Sequence, residues 1–316
     1  MYQIKLIISN HNYHKVYELI EFTADISIHF GGHREEDFTS ADMVIQNTGV
    51  PRESPYLSLA HNHNVPIENE ATLFFLLTKK TPKIAITGTR GKSTTAVLLG
   101  DMLKRWNDHT IVAGIATHEG AKAFFDVIET VLENEQRGVI APVVCELSSW
   151  QLELFEGTEL KATIAVVTNV LNDHLNRYAN FDAYAHAKSL IFANGDEQTS
   201  VILNYDNGVT LRWGLQSTRS TRYWFTRGKG ALDRGTSLSV VDEVPMVRFK
   251  DYEGKVEMIC RRDEIALAGE HNLENALAAV TAGKVWGVPT ELIRESLRSF
   301  SGLSDKVEKE GALKKF

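Results

Sequence analysis

The sequence predicts an α/β protein built on a mostly parallel central sheet flanked by helices, with a phosphate-binding turn (a P-loop) after the sheet's first strand and a smaller α/β domain ahead of it. Three observations carry this. Nearly continuous apolar runs at 83–87 (KIAIT), 142–147 (PVVCEL) and 162–168 (ATIAVVT) alternate with helical segments, as expected of parallel strands buried on both faces. A glycine-containing turn joins the first run directly to a helical pattern, "ITGTRGKSTTAVLLGDML". A polar, proline-containing joint, "TKKTP" at 78–82, separates this block from shorter elements upstream.

At 316 residues the chain is long for one core, so two domains are expected. In the upstream block, 1–82, residues 25–30 (DISIHF) and 43–47 (MVIQN) read as short strands, and helices are expected near 56–62 and 69–78. Turn-rich "GGHREEDF" and "TGVPRESP" lie between them, and the block reads as a small, partial Rossmann-like α/β domain. The main domain is assigned to 83–302, with 303–316 as the start of a linker. Within it, 200–262 alternates in strand fashion ("TRYWFTR", "LSVVDEVPMVRF", "KVEMICR") and is expected to form an antiparallel appendage. The chain returns to helices in "NLENALAAVTAGKVWG" and "TELIRESLRSF".

Composition excludes several classes. Lys+Arg 34 against Asp+Glu 41 gives a net charge of −7 without a long basic run, so neither a nucleic acid nor a membrane surface is an expected partner. Two cysteines, Cys145 and Cys260, make neither a disulfide framework nor a zinc pattern, which fits a reducing cytoplasm. No segment has the shape of a signal peptide or a membrane span.

The chemistry gathers at strand ends. In Gly88-Thr89-Arg90-Gly91-Lys92-Ser93-Thr94 the glycines let the backbone wrap an anion, and the helix start aims free N–H groups at it. Lys92 would reach the outer phosphates of a nucleotide and Ser93 would ligate Mg²⁺, although Ile86 stands where the strict pattern has its first glycine. Glu146 ends the second apolar run in "CELSSWQLELF"; it is placed to serve the same metal, or it is a helix cap or surface ion pair. His174, in "TNVLNDHLNRY", is a loop histidine or a ligand. Lys188 falls on an apolar helix face with Phe181, Tyr184, Ile191 and Phe192. Such a lysine either snorkels to water or is buried with a lowered pKa, in which case its neutral amine can take up CO₂ as a carbamate and hold a second Mg²⁺ with His174. Asn272 and Asn275, one helical turn apart in "GEHNLENALAA", offer donors and acceptors suited to a nucleobase edge; an N-cap is the other reading of Asn272.

Taken together and in this order, "GTRGKST", "ELSSWQLE", "TNVLNDHLNRY…AK" and "HNLENALAA" followed by "SGL" resemble the Mur ligase family over roughly residues 29–304. "GGHREEDF…ADMVIQNTGVPRESPYL" brings the resemblance nearest to the members that add D-glutamate. The resemblance implies an ATP-dependent acid–amino-acid ligase of the cytoplasm, monomeric, acting on UDP-N-acetylmuramoyl-L-alanine and D-glutamate in peptidoglycan precursor synthesis. It implies Lys92, Ser93 and Thr94 for ATP and Mg²⁺ and Glu146 for the first metal. His174 and a carbamylated Lys188 would serve the second metal, and Asn272 and Asn275 the base. A folate-polyglutamating ligase shares the ATP core, and a non-catalytic or truncated nucleotide-binding fragment is a further alternative. The departures are an "AGI" with Ile115 in place of a substrate-contacting Asn, and Asp305-Lys306 where the family has His-Arg. Residues 1–24 also lack the family's uridine-binding glycine loop, and the sequence stops near the expected start of a third domain. These imply a ligase core with its first domain shortened and its third absent.

Overall fold

The computed structural model describes residues 32–114, 122–172, 177–216, 219–228 and 232–303, and the backbone alone of 5–10 and 25–30. The chain divides into two compact units, 1–69 and 70–316. The first contains β1 (Lys5–Asn10) and β2 (Asp25–Phe30), which pair in parallel, then α1 (Glu35–Thr39), β3 (Val44–Ile45), α2 (Pro55–Asn62) and β4 (Ile67–Glu68). β3 and β4 form a second parallel pair. The strand expected over 43–47 is thus only two residues long, whereas 25–30 and the helix near 56–62 lie where expected.

The second unit opens with α3 (Glu70–Leu77), followed by β5 (Lys83–Thr87), α4 (Lys92–Trp106), β6 (Ile111–Ala113), α5 (Ile128–Gln136), β7 (Val143–Glu146), α6 (Ser149–Leu152) and β8 (Ile164–Val167). After these come α7 (Phe181–Ala193), β9 (Ser200–Asn204), α8 (Gly208–Leu215), β10 (Thr221–Phe225), β11 (Gly235–Val241), β12 (Val244–Lys250), β13 (Val256–Arg261), α9 (Glu270–Trp286) and α10 (Thr290–Ser299). α3, which the sequence reading put ahead of the joint at 78–82, packs with this unit. The Phe74 ring lies 5.0 Å from that of Phe124, tilted by 34°, and Phe75 meets Phe155 edge-on at 5.1 Å.

One nine-stranded sheet runs β13-β12-β11-β10-β9-β8-β5-β7-β6. The period of two sorts its residues. Ile84, Ile86, Val144, Ile164, Val166 and Ile202 face a core shared with α4, α9 and α10. Ala85, Val143, Cys145, Ala165, Val167 and Val201 face the opposite core, with α3, α6 and α7. Both faces are dry, so the central strands read as unbroken apolar runs. The expected antiparallel appendage over 200–262 is corrected: β9 and β10 continue the parallel sheet, and β10 pairs in parallel with β11. Only β11-β12-β13 is antiparallel. Alternation reports which faces are buried, not strand direction, so it could not separate the two arrangements. The β13 edge is covered by Arg294 of α10, which donates to the carbonyls of Met258 and Ile259, a common protection for a free edge.

Cys145 and Cys260 are free and buried, and burial pushes both thiols up to about 12, which makes them poor nucleophiles. Lys83, at the start of β5, is only 4% exposed. Its ammonium donates to the Thr78 carbonyl and lies 5.9 Å and 5.4 Å from the Phe74 and Phe75 ring centroids. Burial lowers its pKa from 10.5 to about 8. The folded protein therefore holds this proton less well than the unfolded chain does. The charge costs stability below pH 8, and stability rises with pH between about 8 and 10.5. Thr78 keeps a second donor, the Thr81 N–H at 3.1 Å, if the lysine is removed. Lys83→Met is expected to be as stable as the native chain or more stable by up to about 2 kcal/mol at pH 7. That difference should shrink toward pH 10, as read from urea unfolding midpoints. A loss of more than about 2 kcal/mol would mean that the carbonyl and ring contacts outweigh the burial cost.

Candidate active site

Parallel pairing of β5 with β8 sets Thr87 beside Val167, so the chain leaving each strand meets the other at once. The turn after β5 is held by the turn after β8. Asn169 accepts from the Arg90 N–H at 3.0 Å through Oδ1 and donates to the Arg90 carbonyl at 3.1 Å through Nδ2. Thr168 Oγ1 donates to the same carbonyl at 2.7 Å, and the Thr89 N–H donates to the Asn169 carbonyl at 2.9 Å. Thr89 Oγ1 accepts from the Leu171 N–H at 2.9 Å and lies 3.0 Å from the Tyr184 hydroxyl.

Gly91, at φ +82°, is the left-handed residue from which α4 starts, and no side chain caps the helix. A first-turn N–H has no partner within its own helix, so Lys92, Ser93 and Thr94 present the positive end of a fifteen-residue helix. Lys92 Nζ folds back to 3.3 Å from the Thr89 carbonyl. Glu146, at the end of β7, lies beside the Ser93 hydroxyl, with the charges of Lys92 and Lys188 nearby. Burial raises its pKa, and the two lysines and Ser93 oppose the rise only in part. Its Oε2 is buried without any hydrogen-bond partner. Ser148, not Glu146, caps α6, through a reciprocal pair with Gln151, which removes the helix-cap alternative for Glu146.

Lys188 is 2% exposed. It does not snorkel: Nζ donates to the Gly88 carbonyl at 2.8 Å and lies 4.8 Å from the Tyr184 ring centroid. Asn272 lies inside the first turn of α9 rather than at its cap, which is Gly269, and its Nδ2 donates to the Ala268 carbonyl at 2.7 Å. Asn275 Nδ2 donates to Asn272 Oδ1 at 3.2 Å. The Asn275 carboxamide packs against Gly91, and a Cβ there would come to 2.0 Å from its Oδ1. Gly88, Thr89, Arg90, Gly91, Lys92, Ser93, Glu146, Lys188 and Asn275 are therefore joined by direct contacts or by neighbouring charge. His174, Ile115 and Asp305-Lys306 lie outside the described residues. Sequence reasoning missed Thr168, Asn169, Tyr184, Asn204 and Glu274. Thr168-Asn169 and Asn204 each follow an apolar run directly, which is the signal that pointed to Glu146.

The donor set suits a magnesium ion: a hydroxyl and a carboxylate share one side of the α4 N-terminus, and one carboxylate oxygen has no other partner. Among the described residues no three or more His, Cys, Asp or Glu side chains cluster as metal ligands, so hydroxyl, phosphate and water oxygens would have to complete the shell. Among the described residues no helix is long and apolar enough to cross a membrane.

Residues 86–283 match the Mur ligase middle domain. The chain is 33% identical over 269 residues to a UDP-N-acetylmuramoylalanine--D-glutamate ligase of Caldicellulosiruptor saccharolyticus, covering 85% of this chain and 55% of that protein. It is 32% identical over 301 residues to the protein of that name in Roseiflexus, covering 92% and 60%. Among solved structures it resembles UDP-N-acetylmuramate:L-alanyl-gamma-D-glutamyl-meso-diaminopimelate ligase from Neisseria meningitides, with a TM-score of 0.64, 15% identity, and coverage of 94% of this chain and 91% of that one. It also resembles MurF from Acinetobacter baumannii, with a TM-score of 0.53, 21% identity, and coverage of 75% and 51%. The fold is an α/β domain built on a mostly parallel sheet, as in those solved structures. The chain belongs to the Mur ligase family. It spans 55% and 60% of the length of the two relatives named.

Gly91 is a residue at which this geometry leaves no room for a side chain. Gly91→Ala should cost about 2 kcal/mol or more, from the left-handed backbone and the overlap with Asn275. Thermal unfolding checks this; a loss under about 0.5 kcal/mol would mean that Asn275 moves freely away from the loop.

Proposed function

We propose that the chain carries the ATP-dependent step of a ligase that joins D-glutamate to UDP-N-acetylmuramoyl-L-alanine, in peptidoglycan precursor synthesis. The observation that carries the nucleotide part of this reading is the buried carboxylate of Glu146, with Oε2 unpartnered, near Ser93, Lys92 and Lys188 at the uncapped start of α4, while the names of the similar ligases support the two substrates. Such a site collects cations around an anionic group that must bring its own oxygens, as a nucleotide triphosphate does.

In this reading Lys92 lies along the outer phosphates and neutralises them, while the N–H groups of α4 orient them. Ser93 and Glu146 hold Mg²⁺, and Asn272 and Asn275 line the base with donors and acceptors. Mg²⁺, when bound, supplies charge neutralisation for phosphoryl transfer. The γ-phosphoryl group passes from ATP to the carboxylate of UDP-N-acetylmuramoyl-L-alanine, leaving ADP. The amine of D-glutamate then attacks the acyl carbon, phosphate leaves, and an amide is formed. The demands on the protein are alignment and exclusion of water, not covalent help. Lys188 as a carbamate, formed when its neutral amine adds CO₂ and releases a proton, would join His174 at a second Mg²⁺. The direct test is amide formation with the two substrates and Mg·ATP, followed by mass spectrometry. A product with another amino acid and none with D-glutamate would correct the acceptor.

Lys92→Ala should weaken ATP binding by roughly tenfold or more, because backbone donors do not replace a full positive charge. Equal affinities in calorimetry would remove the phosphate role from this loop. For Lys188, carbon-13 NMR with labelled bicarbonate should show a carbamate resonance in the native protein that Lys188→Ala abolishes. Absence of the signal at alkaline pH would leave Lys188 as an ammonium that braces Gly88.

A further inference from the structure

Glu274 lies one position before Asn275 on α9, and nothing in the reaction outlined above uses it. Its Oε1 is 2.7 Å from Arg227 Nε, and its Oε2 accepts from Asn204 Nδ2 at 3.3 Å. Asn204, 1% exposed at the end of β9, donates through the same nitrogen to the Thr168 carbonyl at 2.9 Å. Thr168 Oγ1 in turn holds the Arg90 carbonyl at 2.7 Å. A continuous line of polar contacts thus runs from Arg227 through Glu274, Asn204 and Thr168 to the peptide just before Gly91. The same turn of α9 touches Gly91 directly through Asn275. The first turns of α9 and the turn between β5 and α4 are therefore joined twice, once by packing and once by hydrogen bonds.

We propose that Glu274 is a positioning residue for nucleotide: its carboxylate locks the start of α9 to the loop bracket, so that the base-side carboxamides and the phosphate-side N–H groups keep one spacing. This rests on the nucleotide reading above. The chemistry explains why the residue is a carboxylate. Two donors converge on it, an arginine from the loop after β10 and an amide from the end of β9, and an acceptor-only group satisfies both. Asp206, whose carboxylate accepts from the Thr226 hydroxyl at 2.6 Å and the Arg227 N–H at 2.7 Å, fixes the backbone from which Arg227 reaches Glu274. Arg227 is 40% exposed and stays hydrated if Glu274 is removed, so the fold does not depend on the pair.

The test compares the native chain with Glu274→Ala and Glu274→Gln, using a ribose-labelled fluorescent ATP with Mg²⁺, thermal unfolding, and amide hydrogen exchange of the nucleotide-free proteins. Glu274→Ala should raise the nucleotide dissociation constant about tenfold, the size expected for neighbours in one network. It should also speed exchange at the Thr89 and Arg90 N–H groups, both bonded to Asn169, and leave the rest of the sheet unchanged. Glu274→Gln keeps one acceptor for Asn204 while Arg227 turns to solvent, and should return to within about threefold of the native constant. Native-like affinity and exchange in Glu274→Ala would overturn the proposal. So would uniformly faster exchange with a lowered melting temperature, or a glutamine variant as weak as the alanine one. If the native chain binds no nucleotide, the nucleotide reading fails on its own, and local acceleration at Thr89 and Arg90 then still decides whether Glu274 sets the loop.

Discussion

The backbone of Arg90 is gripped at both of its polar groups by a pair of side chains that follow β8, and the start of α4 is held by that grip. Asn169 accepts from the Arg90 N–H and donates to the Arg90 carbonyl, and Thr168 adds a second donor to the carbonyl. The two peptide groups that flank Arg90 are thus fixed together just before Gly91, where α4 opens with its first N–H groups free of helical partners. The bracket is available only because β8 lies beside β5 in parallel register, which brings the two strand ends to the same edge of the sheet. The approach is close enough that a Cβ on Gly88 would lie 1.9 Å from Thr168 Oγ1. That glycine is needed for contact as much as for conformation.

An open helix start beside a buried carboxylate is an expensive arrangement. Burial raises the Glu146 pKa, so its charge is stabilised less in the folded state than in water, and the folded state loses stability as the carboxyl ionises. A structure selected for stability alone would pair both oxygens or replace the residue with an apolar one. Here Ser93, Lys92 and Lys188 lie near the carboxylate, yet its Oε2 has no hydrogen-bond partner. Lys92 turns to Thr89, and Lys188 turns to Gly88. The local cost is the kind that functional sites carry and that the two surrounding cores offset.

Much of this was legible in the sequence, for a physical reason. Strands buried on both faces cannot hide a polar residue within their run, so KIAIT, PVVC and ATIAVV mark their own ends, and the ends are where ligands gather in a parallel sheet. The loop at 88–94 and Glu146 follow from that alone. The errors follow from what periodicity leaves out. The "SVILN" run has the same appearance in a parallel or an antiparallel sheet, and its partners, β8 and β10, are set by tertiary packing. β6 is three residues long and too short to signal. Thr168, Asn169 and Asn204 met the same strand-end criterion as Glu146, but threonine and asparagine are ordinary turn formers and carried no charge to explain. Glu274 had no local signal, because its two partners come from residues about 50 to 70 positions upstream, one at the end of β9 and one in the loop after β10.

The two buried lysines of the main unit show why burial by itself does not mark a functional residue. Lys83 and Lys188 are 4% and 2% exposed, each donates to a backbone carbonyl, and each lies near an aromatic ring. The difference is which end of the sheet they reach. Lys83 enters at the amino end of β5, where Thr78 and two phenylalanines close around it and Glu135 spends its carboxylate on Thr81. Its hydrogen bond there is to the turn after α3, away from the start of α4. Lys188 reaches the carboxyl end, where the turn after β5, the Glu146 carboxylate and the start of α4 converge. At that edge a change in its charge, from ammonium to neutral amine or carbamate, would alter the field at the open N–H groups directly. The parallel strands make this distinction by sending their carboxyl ends, and the loops that leave them, to one side of the sheet.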